Sequence, residues 1–417
     1  MLDIAATIAR ELFEAFFSNY FFMFLYIMII VFVKVQYEKY NELQGEVYGH
    51  TAKDTREIIE EIILVSLVMG FVGSFAIIAT GISIDASSVK YLFYIMFLLL
   101  LINIKFLCIS YAAGILAMVS LIFGYPKTDV SSVLGLVAIL HMIESILVYI
   151  NKGKDSIPVF IKHKDGIAGA YLIRKFWLVP IVFLAFITQN FTGSLSNLTL
   201  NWWMLFKTDT LQAGAYALGL DCIVAVLSFT DLAITKHPEK KSKEKALQLF
   251  LYSVVLFVIA VVSMRIPWLK YIGTVFCIAG HEAIAAYGRY IEKTGTPLFG
   301  QVYRGLKIMD ILLGSHAQKM GIQRGDIILS INGSDIQTNE GISEALKDYP
   351  TYTWINAIGW DGKEKTYEYR YYPSGYNTLG VVPVPREKEV TYNTNYFEHL
   401  SILKNIVTRF KGMNKSI

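Results

Sequence analysis

Charge is what this sequence has least of. Only 17% of its 417 residues are Asp, Glu, Lys or Arg, against roughly 25% in an ordinary soluble domain. The shortage is concentrated before Tyr290, so the first two thirds of the chain lack the polar surface a water-soluble fold needs. Cysteine is also scarce. Cys108, Cys222 and Cys277 all lie in apolar runs, which excludes a disulfide framework and supplies no thiolate spacing for a metal centre. The net charge is only +4, and its lysines cluster in loops, which argues against a nucleic-acid partner. The first apolar run is long and no small-residue cleavage pattern follows it, so no cleavable signal peptide is expected.

What is present is apolar length. Hydrophobic residues make up 54% of the chain, and several runs reach the ~20 residues that span a bilayer. Phe16–Val33 is the first, followed by Ile62–Thr80. Val89–Phe123 is too long for one helix and reads as two short spans turning at Lys105. Val130–Ile150, Phe176–Thr188, Ala213–Leu232, Ala246–Met264 and a weaker run, Tyr271–Tyr287, complete the series. The expected fold is an all-α polytopic membrane bundle of about eight or nine helices, occupying residues 1–290, with a different kind of domain behind it. Loops 151–175, 235–245 and 34–61 carry six, five and four Lys or Arg, whereas the loops between them carry about one or none. The positive-inside rule therefore places Lys105 and the C-terminal part of the chain in the cytoplasm.

That part, residues 291–385, is dense in turn signals. Gly314-Ser315-His316 opens a short helix to Met320, and Gly321 suits its left-handed C-terminal cap. Ile327–Ile331 is a strand, and Asn332-Gly333 is a type I′ hairpin signal. A helix from about Glu340 to Lys347 follows, capped by Thr338 or Asn339. Runs Thr351–Ile358 and Glu364–Tyr371, joined at Asp361-Gly362, are further strands. The pattern resembles a PDZ domain of the bacterial type, an α+β fold forming a small, partly open barrel with a groove helix. The resemblance implies peptide binding by addition of an extended strand to a sheet edge. Tyr303, Arg304 and Gly305 stand at the expected carboxylate-binding turn, with Leu306, Ile308, Ala345 and Leu346 expected to line the apolar pocket. Residues 386–417 read as a linker and a basic amphipathic helix, with Phe397, Leu400, Leu403, Ile406, Val407 and Phe410 at helical spacing.

Ionisable groups at membrane depth are costly and mark candidate sites. His141 and Glu144, three residues apart, share a helix face. With Asp221, His281 and Glu282 they form a candidate intramembrane polar cluster, read as a packing device or as the lining of a proton or ion path. Gly280-His281-Glu282 invites comparison with intramembrane zinc proteases, but those place a second histidine four residues after the first. Here that residue is Ala285. No catalytic residue, metal or cofactor is expected.

Several stretches carry a wider resemblance. They are Ile104-Lys105-Phe106-Leu107 before Tyr111-Ala112-Ala113-Gly114, then Arg174-Lys175-Phe176-Trp177-Leu178-Val179-Pro180, and Gly280-His281-Glu282 leading through Arg289 into the PDZ-like part. With many spans and one C-terminal PDZ domain, the chain resembles the MinJ-like proteins of Gram-positive bacteria. The resemblance implies a non-enzymatic scaffold at septum and poles, joining a DivIVA-like coiled coil to a MinD-like ATPase at the lipid bilayer. A PDZ-bearing intramembrane protease, and a transporter or channel with a regulatory PDZ domain, remain as alternatives.

Overall fold

A computed structural model describes residues 2–48, 53–164, 166–188, 205–206, 216–347, 352–370 and 378–386. The amphipathic helix expected in 386–417 lies outside the described residues.

Helices α1 (Leu2–Phe17), α2 (Tyr20–Tyr48) and α3 (Thr55–Thr80) come first, so the predicted span at Phe16 is broken by a turn at Ser18-Asn19. The Asn19 side chain accepts the Phe22 N–H at 3.0 Å and restarts the helix. A short strand β1 (Ser83–Asp85) leads into α4 (Ala86–Ile102). A 3-10 turn over Ile104–Leu107 connects α4 to α5 (Ile109–Phe123), as the lysine at 105 led one to expect. Helix α6 (Val130–Asn151) is the most enclosed: 78% of its apolar window is buried. Among the described residues, four helices are long and apolar enough to cross a membrane. They are Tyr20–Gly45, Thr55–Thr80, Val130–Asn151 and Pro238–Ser263, and α4 and α5 are shorter apolar helices.

Two of the predicted spans are not helices. Phe176–Thr188 lies in β3 (Gly166–Thr188) and Ala213–Leu232 largely in β4 (Tyr216–Ala233), which pair antiparallel from Tyr171↔Ala233 to Thr188↔Tyr216. The all-α expectation is corrected accordingly, and part of the loop predicted at 151–175 is strand β2 (Ile157–His163), paired to the start of β3. The physical reason is composition. Ile173, Val179, Ile181 and Val182 are β-branched, Phe176, Trp177 and Phe183 are aromatic, and Pro180 would break a helix interior. A strand buried on both faces shows no alternation, so its apolar run looks like a buried helix.

A sheet edge inside an apolar bundle must have its backbone groups satisfied. Between its pairings with β2 and β1, the edge of β3 that faces away from β4 is sealed by side chains of α2 and α3. Tyr37 Oη accepts the Phe176 N–H at 3.2 Å, Ser66 Oγ the Leu178 N–H at 2.9 Å and Ser74 Oγ the Val182 N–H at 2.8 Å. At the intervening even position stands Pro180, which has no N–H to satisfy. Tyr40 Oη donates to the Leu172 carbonyl at 2.9 Å. Close approach requires Gly70, because a Cβ there would lie 2.3 Å from the Pro180 carbonyl oxygen. Ser66→Ala and Ser74→Ala are each expected to leave one buried amide unpaired, at about 1–3 kcal/mol. Thermal unfolding of the detergent-purified chain measures that loss, and an unchanged midpoint would mean water takes the hydroxyl's place.

Helices α7 (Pro238–Ser263) and α8 (Leu269–Thr294) complete the membrane body, α7 lying along α6. The C-terminal domain begins with β5 (Phe299–Gly300) and β6 (Leu306–Ile311). It continues through α9 (His316–Met320), β7 (Ile327–Ile331), β8 (Ser334–Asp335), α10 (Asn339–Lys347), β9 (Tyr352–Ile358), β10 (Glu364–Arg370) and β11 (Val381–Pro383). Its sheet runs β10-β9-β7-β6-β11. The β7 turn has positive φ at both Asn332 (51°) and Gly333 (84°), the type I′ signature, and Thr338 Oγ1 accepts the Gly341 N–H at 3.2 Å to cap α10.

The domain is seated on the membrane body. β5 pairs with Ala168 and Gly169 of β3. Tyr171 Oη donates to the Met309 carbonyl at 2.7 Å, and Met309, Val382 and Val384 join the core of the membrane half. Asp310, 3% exposed, accepts from Tyr48 Oη and from Arg324 Nε, each at 2.6 Å. Burial and Asp310 together hold the Tyr48 hydroxyl protonated well above its ordinary range. At the root of the domain, Glu292 accepts the Ile234 and Thr235 N–H groups and the Lys241 ammonium, all at 2.8 Å.

Candidate functional site

The sequence points to two sites, one in the C-terminal domain and one inside the membrane half.

In the C-terminal domain, Leu306 (1% exposed), Ile308 (0%), Ala345 (7%) and Leu346 (0%) lie together in the closed core, with Ile342 and Leu379. Gly305 takes a positive φ of 82°. Tyr303 and Arg304 are exposed, and Arg304 reaches Asp335 at 3.5 Å. Beside β6 runs β11, with Val381 opposite Ile311 and Val382 opposite Asp310. The pairing continues to the Val384 N–H, which donates to the Lys307 carbonyl at 2.9 Å. Arg386 then donates to the carbonyls of Val302, Tyr303 and Gly305, each at 2.9–3.0 Å. Among the described residues the outer strand is therefore β11. By alternation, Val381 and Pro383 turn their backbone groups outward, and Pro383 has no N–H to offer. Sequence reasoning missed β11 because three residues behind a long connection leave a weak strand signal. Between this domain and the membrane half lies a cavity of about 380 Å³, whose lining includes Lys152, Lys154, His237, Asp310 and Arg324.

The intramembrane cluster is brought together in part. Asn103, extended at φ −161°, accepts the Lys105 N–H at 3.0 Å and sets the turn that delivers Cys108 to the start of α5. At Gly114 a Cβ would lie 2.4 Å from Ile278, so α5 and α8 approach closely and Cys108 meets His281. Cys108 Sγ stands 3.4 Å from His141 Nε2 and 3.6 Å from His281 Nε2. His141, fully buried, holds the Glu144 carboxylate through Nδ1 at 2.7 Å. Ser110 Oγ lies 2.5 Å from His141 Nε2 and 3.3 Å from Tyr252 Oη, whose proton goes to the Cys277 carbonyl at 2.7 Å. Glu282 turns outward from His281. It accepts from the Tyr111 hydroxyl and from Arg289 at 2.7 Å, with Lys105 at 4.0 Å.

His141, Glu144 and His281 thus converge, Glu282 borders them, and Asp221 does not join. Asp221 sits on β4 opposite Phe183 and is exposed. Cys108, Ser110 and Tyr252 were missed. Cysteine, serine and tyrosine are common in apolar helices. For Cys108 and Ser110 the signal is the break in helix at Lys105, which aims the following residues inward, whereas Tyr252 arrives from α7, a contact that sequence spacing does not encode.

The family described as PDZ domain matches residues 307–350. The cell division topological determinant MinJ of Bacillus subtilis (strain 168) is 21% identical over 254 residues, covering 60% of this chain and 61% of that relative. The chain is also similar to the crystallised PDZ domain of the SdrC-like protein from Listeria monocytogenes. That match covers 20% of this chain and 93% of the other, with 17% identity and a TM-score of 0.17. The chain is thus similar to MinJ over 60% of its length and matches the PDZ domain family near its C-terminus.

Proposed function

We propose that this chain is a non-enzymatic membrane adaptor that recruits division-site proteins through its PDZ domain. The observation that carries the reading is the seating of a PDZ fold on an apolar helical body through β5, Tyr171 and Asp310. A domain held this way presents its peptide edge in a fixed orientation to the bilayer, which suits a scaffold. The similarity to MinJ supplies the division context. In this reading the lysine-rich loops and the PDZ domain face the cytoplasm, and the protein concentrates at septum and poles. Its partners there are a MinD-type ATPase and a DivIVA-type coiled coil.

The peptide adds to the outer edge of β11, where Val381 offers an N–H and a carbonyl, and the exposed Arg304 favours a carboxylate. Charges on an edge strand block strand addition. Val381→Asp in the full-length chain, a half-exposed position, is therefore expected to weaken capture of the partner proteins ~10-fold or more, about 1.4 kcal/mol. Quantitative pulldown from detergent-solubilised cells measures it, with membrane yield as the folding control. Equal capture by the variant would place the binding surface elsewhere.

A further inference from the structure

We infer that Cys108, His141 and His281 form a transition-metal site of the zinc class, buried at the meeting of α5, α6 and α8. The three ligand atoms, one from each residue, lie within 4.8 Å of one another. Zinc–sulfur and zinc–imidazole bonds of about 2.3 and 2.05 Å, set at tetrahedral angles, separate sulfur from nitrogen by about 3.5 Å. The two sulfur–nitrogen separations here are 3.4 and 3.6 Å, close to that value.

Proton counting leaves both Nε2 atoms able to act as ligands. Glu144 takes the Nδ1–H of His141, which leaves Nε2 as a lone pair facing Cys108. The Ser110 hydroxyl can satisfy that lone pair, but the thiol has one proton and faces a second imidazole. His281 Nδ1 is buried with no hydrogen-bond partner among the described residues. If Nε2 carries the His281 proton, Nδ1 is an orphaned acceptor. If Nδ1 carries it, the donor is orphaned there, and the His281 Nε2 lone pair takes the thiol proton while Ser110 serves His141 Nε2. A metal on Nε2 would fix the His281 proton on Nδ1 and so set that ring's tautomer. A single cation can accept both Nε2 lone pairs and the thiolate at once.

The surroundings complete a metal site. Glu144, 6% exposed, orients His141 through its far nitrogen, the carboxylate–histidine arrangement that fixes tautomer and raises ligand basicity. A thiolate with two imidazoles selects zinc-class ions over Mg²⁺ or Ca²⁺, which need oxygen ligands. Glu282 is engaged by Tyr111 and Arg289, so the fourth position falls to a solvent molecule. Cys108 and His281 are only partly buried while His141 is fully so, which opens the site toward Lys105 and Arg289. On binding, the thiol proton leaves to solvent and a metal–thiolate bond forms.

The test uses the full-length chain, purified in detergent, stripped with chelator and titrated with Co²⁺. Saturation at one ion per chain is expected, with a sulfur-to-cobalt charge-transfer band, release of about one proton per ion near neutral pH, and displacement by Zn²⁺ but not by Mg²⁺. Cys108→Ser should abolish the band, and Glu144→Gln should weaken affinity about 10–100-fold. Because the unsubstituted protein gives the primary readout, misfolding of a variant does not blunt the test. A monodisperse protein that takes up no Co²⁺, or shows the same spectrum after Cys108→Ser, overturns the assignment. So does rapid acylation of Cys108 by an electrophilic ester in protein that binds no metal, which would make the trio of Cys108, His141 and Glu144 a nucleophile with its base. Failure to bind metal leaves the adaptor reading standing, since that rests on the PDZ domain, whereas an activated Cys108 would remove its non-enzymatic part.

Discussion

Glu292→Ala is expected to cost the folded protein about 3 kcal/mol at neutral pH, and to remove an acid-sensitive step from its stability profile. Glu292 is 4% exposed and its partner Lys241 5%. Truncating one partner of a buried, hydrogen-bonded pair leaves the other charge uncompensated, typically at 3–5 kcal/mol. The lower end applies because Asp231 still faces Lys241 at 3.6 Å. The same carboxylate caps the two amides after β4, so those are orphaned as well. Burial pushes the Glu292 carboxyl up, but the Lys241 ammonium and the two backbone N–H groups outweigh it and hold it below its ordinary value. A carboxylate depressed in the folded state contributes stability that is complete above the unfolded value, near 4.5, and is lost as pH falls through the lower folded value. The unsubstituted protein should therefore lose this contribution below about pH 4.5, whereas the alanine variant has none to lose. Thermal unfolding in detergent at neutral pH and through the acid range reads both effects. Parallel acid profiles for the two proteins would show that another group is responsible.

The second large effect is expected at the seam between the two halves. Asp310→Ala removes the acceptor shared by Tyr48 and Arg324 and leaves a tyrosine hydroxyl and a guanidinium facing each other. Arg324 is half exposed, which screens its share, so the cost is about 2 kcal/mol rather than that of a fully buried pair. The loss falls on docking more than on folding of either half, because the strands of the PDZ core do not depend on Asp310's side chain. Hydrogen exchange is therefore expected to accelerate at Phe299, Gly300 and β11, while α3 and α6 stay protected. Uniform acceleration would instead show that the two halves unfold as one unit.

The PDZ half was the more legible part of the chain. Its turns are written in residues with narrow conformational roles: Asn332-Gly333 for the hairpin and Thr338 for the α10 cap. Predicted strands there agree with the structure to within a residue or two. The membrane half was legible as apolar length but not as secondary structure. Length and hydropathy cannot separate a strand covered on both faces from a helix, and β3 is covered by α3 on its edge and by two cores on its faces. Pro180 was the local clue, since it suits a strand edge at the point where Gly70 crosses. Within the polar cluster, His141 and Glu144 were readable because they share a helix turn. Cys108 and His281 meet across 173 residues of chain, a contact that sequence spacing does not encode. In the PDZ domain the pairing of β11 with β6 was missed for the same reason. The pairing joins residues some seventy positions apart.

The central claim is that the membrane half holds a partner-binding PDZ domain at sites of division. A fluorescent fusion of the full-length chain, imaged in its own cells beside the Val381→Asp variant, tests it most directly. The expected result is enrichment at septa and poles for the unsubstituted protein. The variant should keep its membrane signal and lose the enrichment. A uniform membrane signal for the unsubstituted protein would contradict the account.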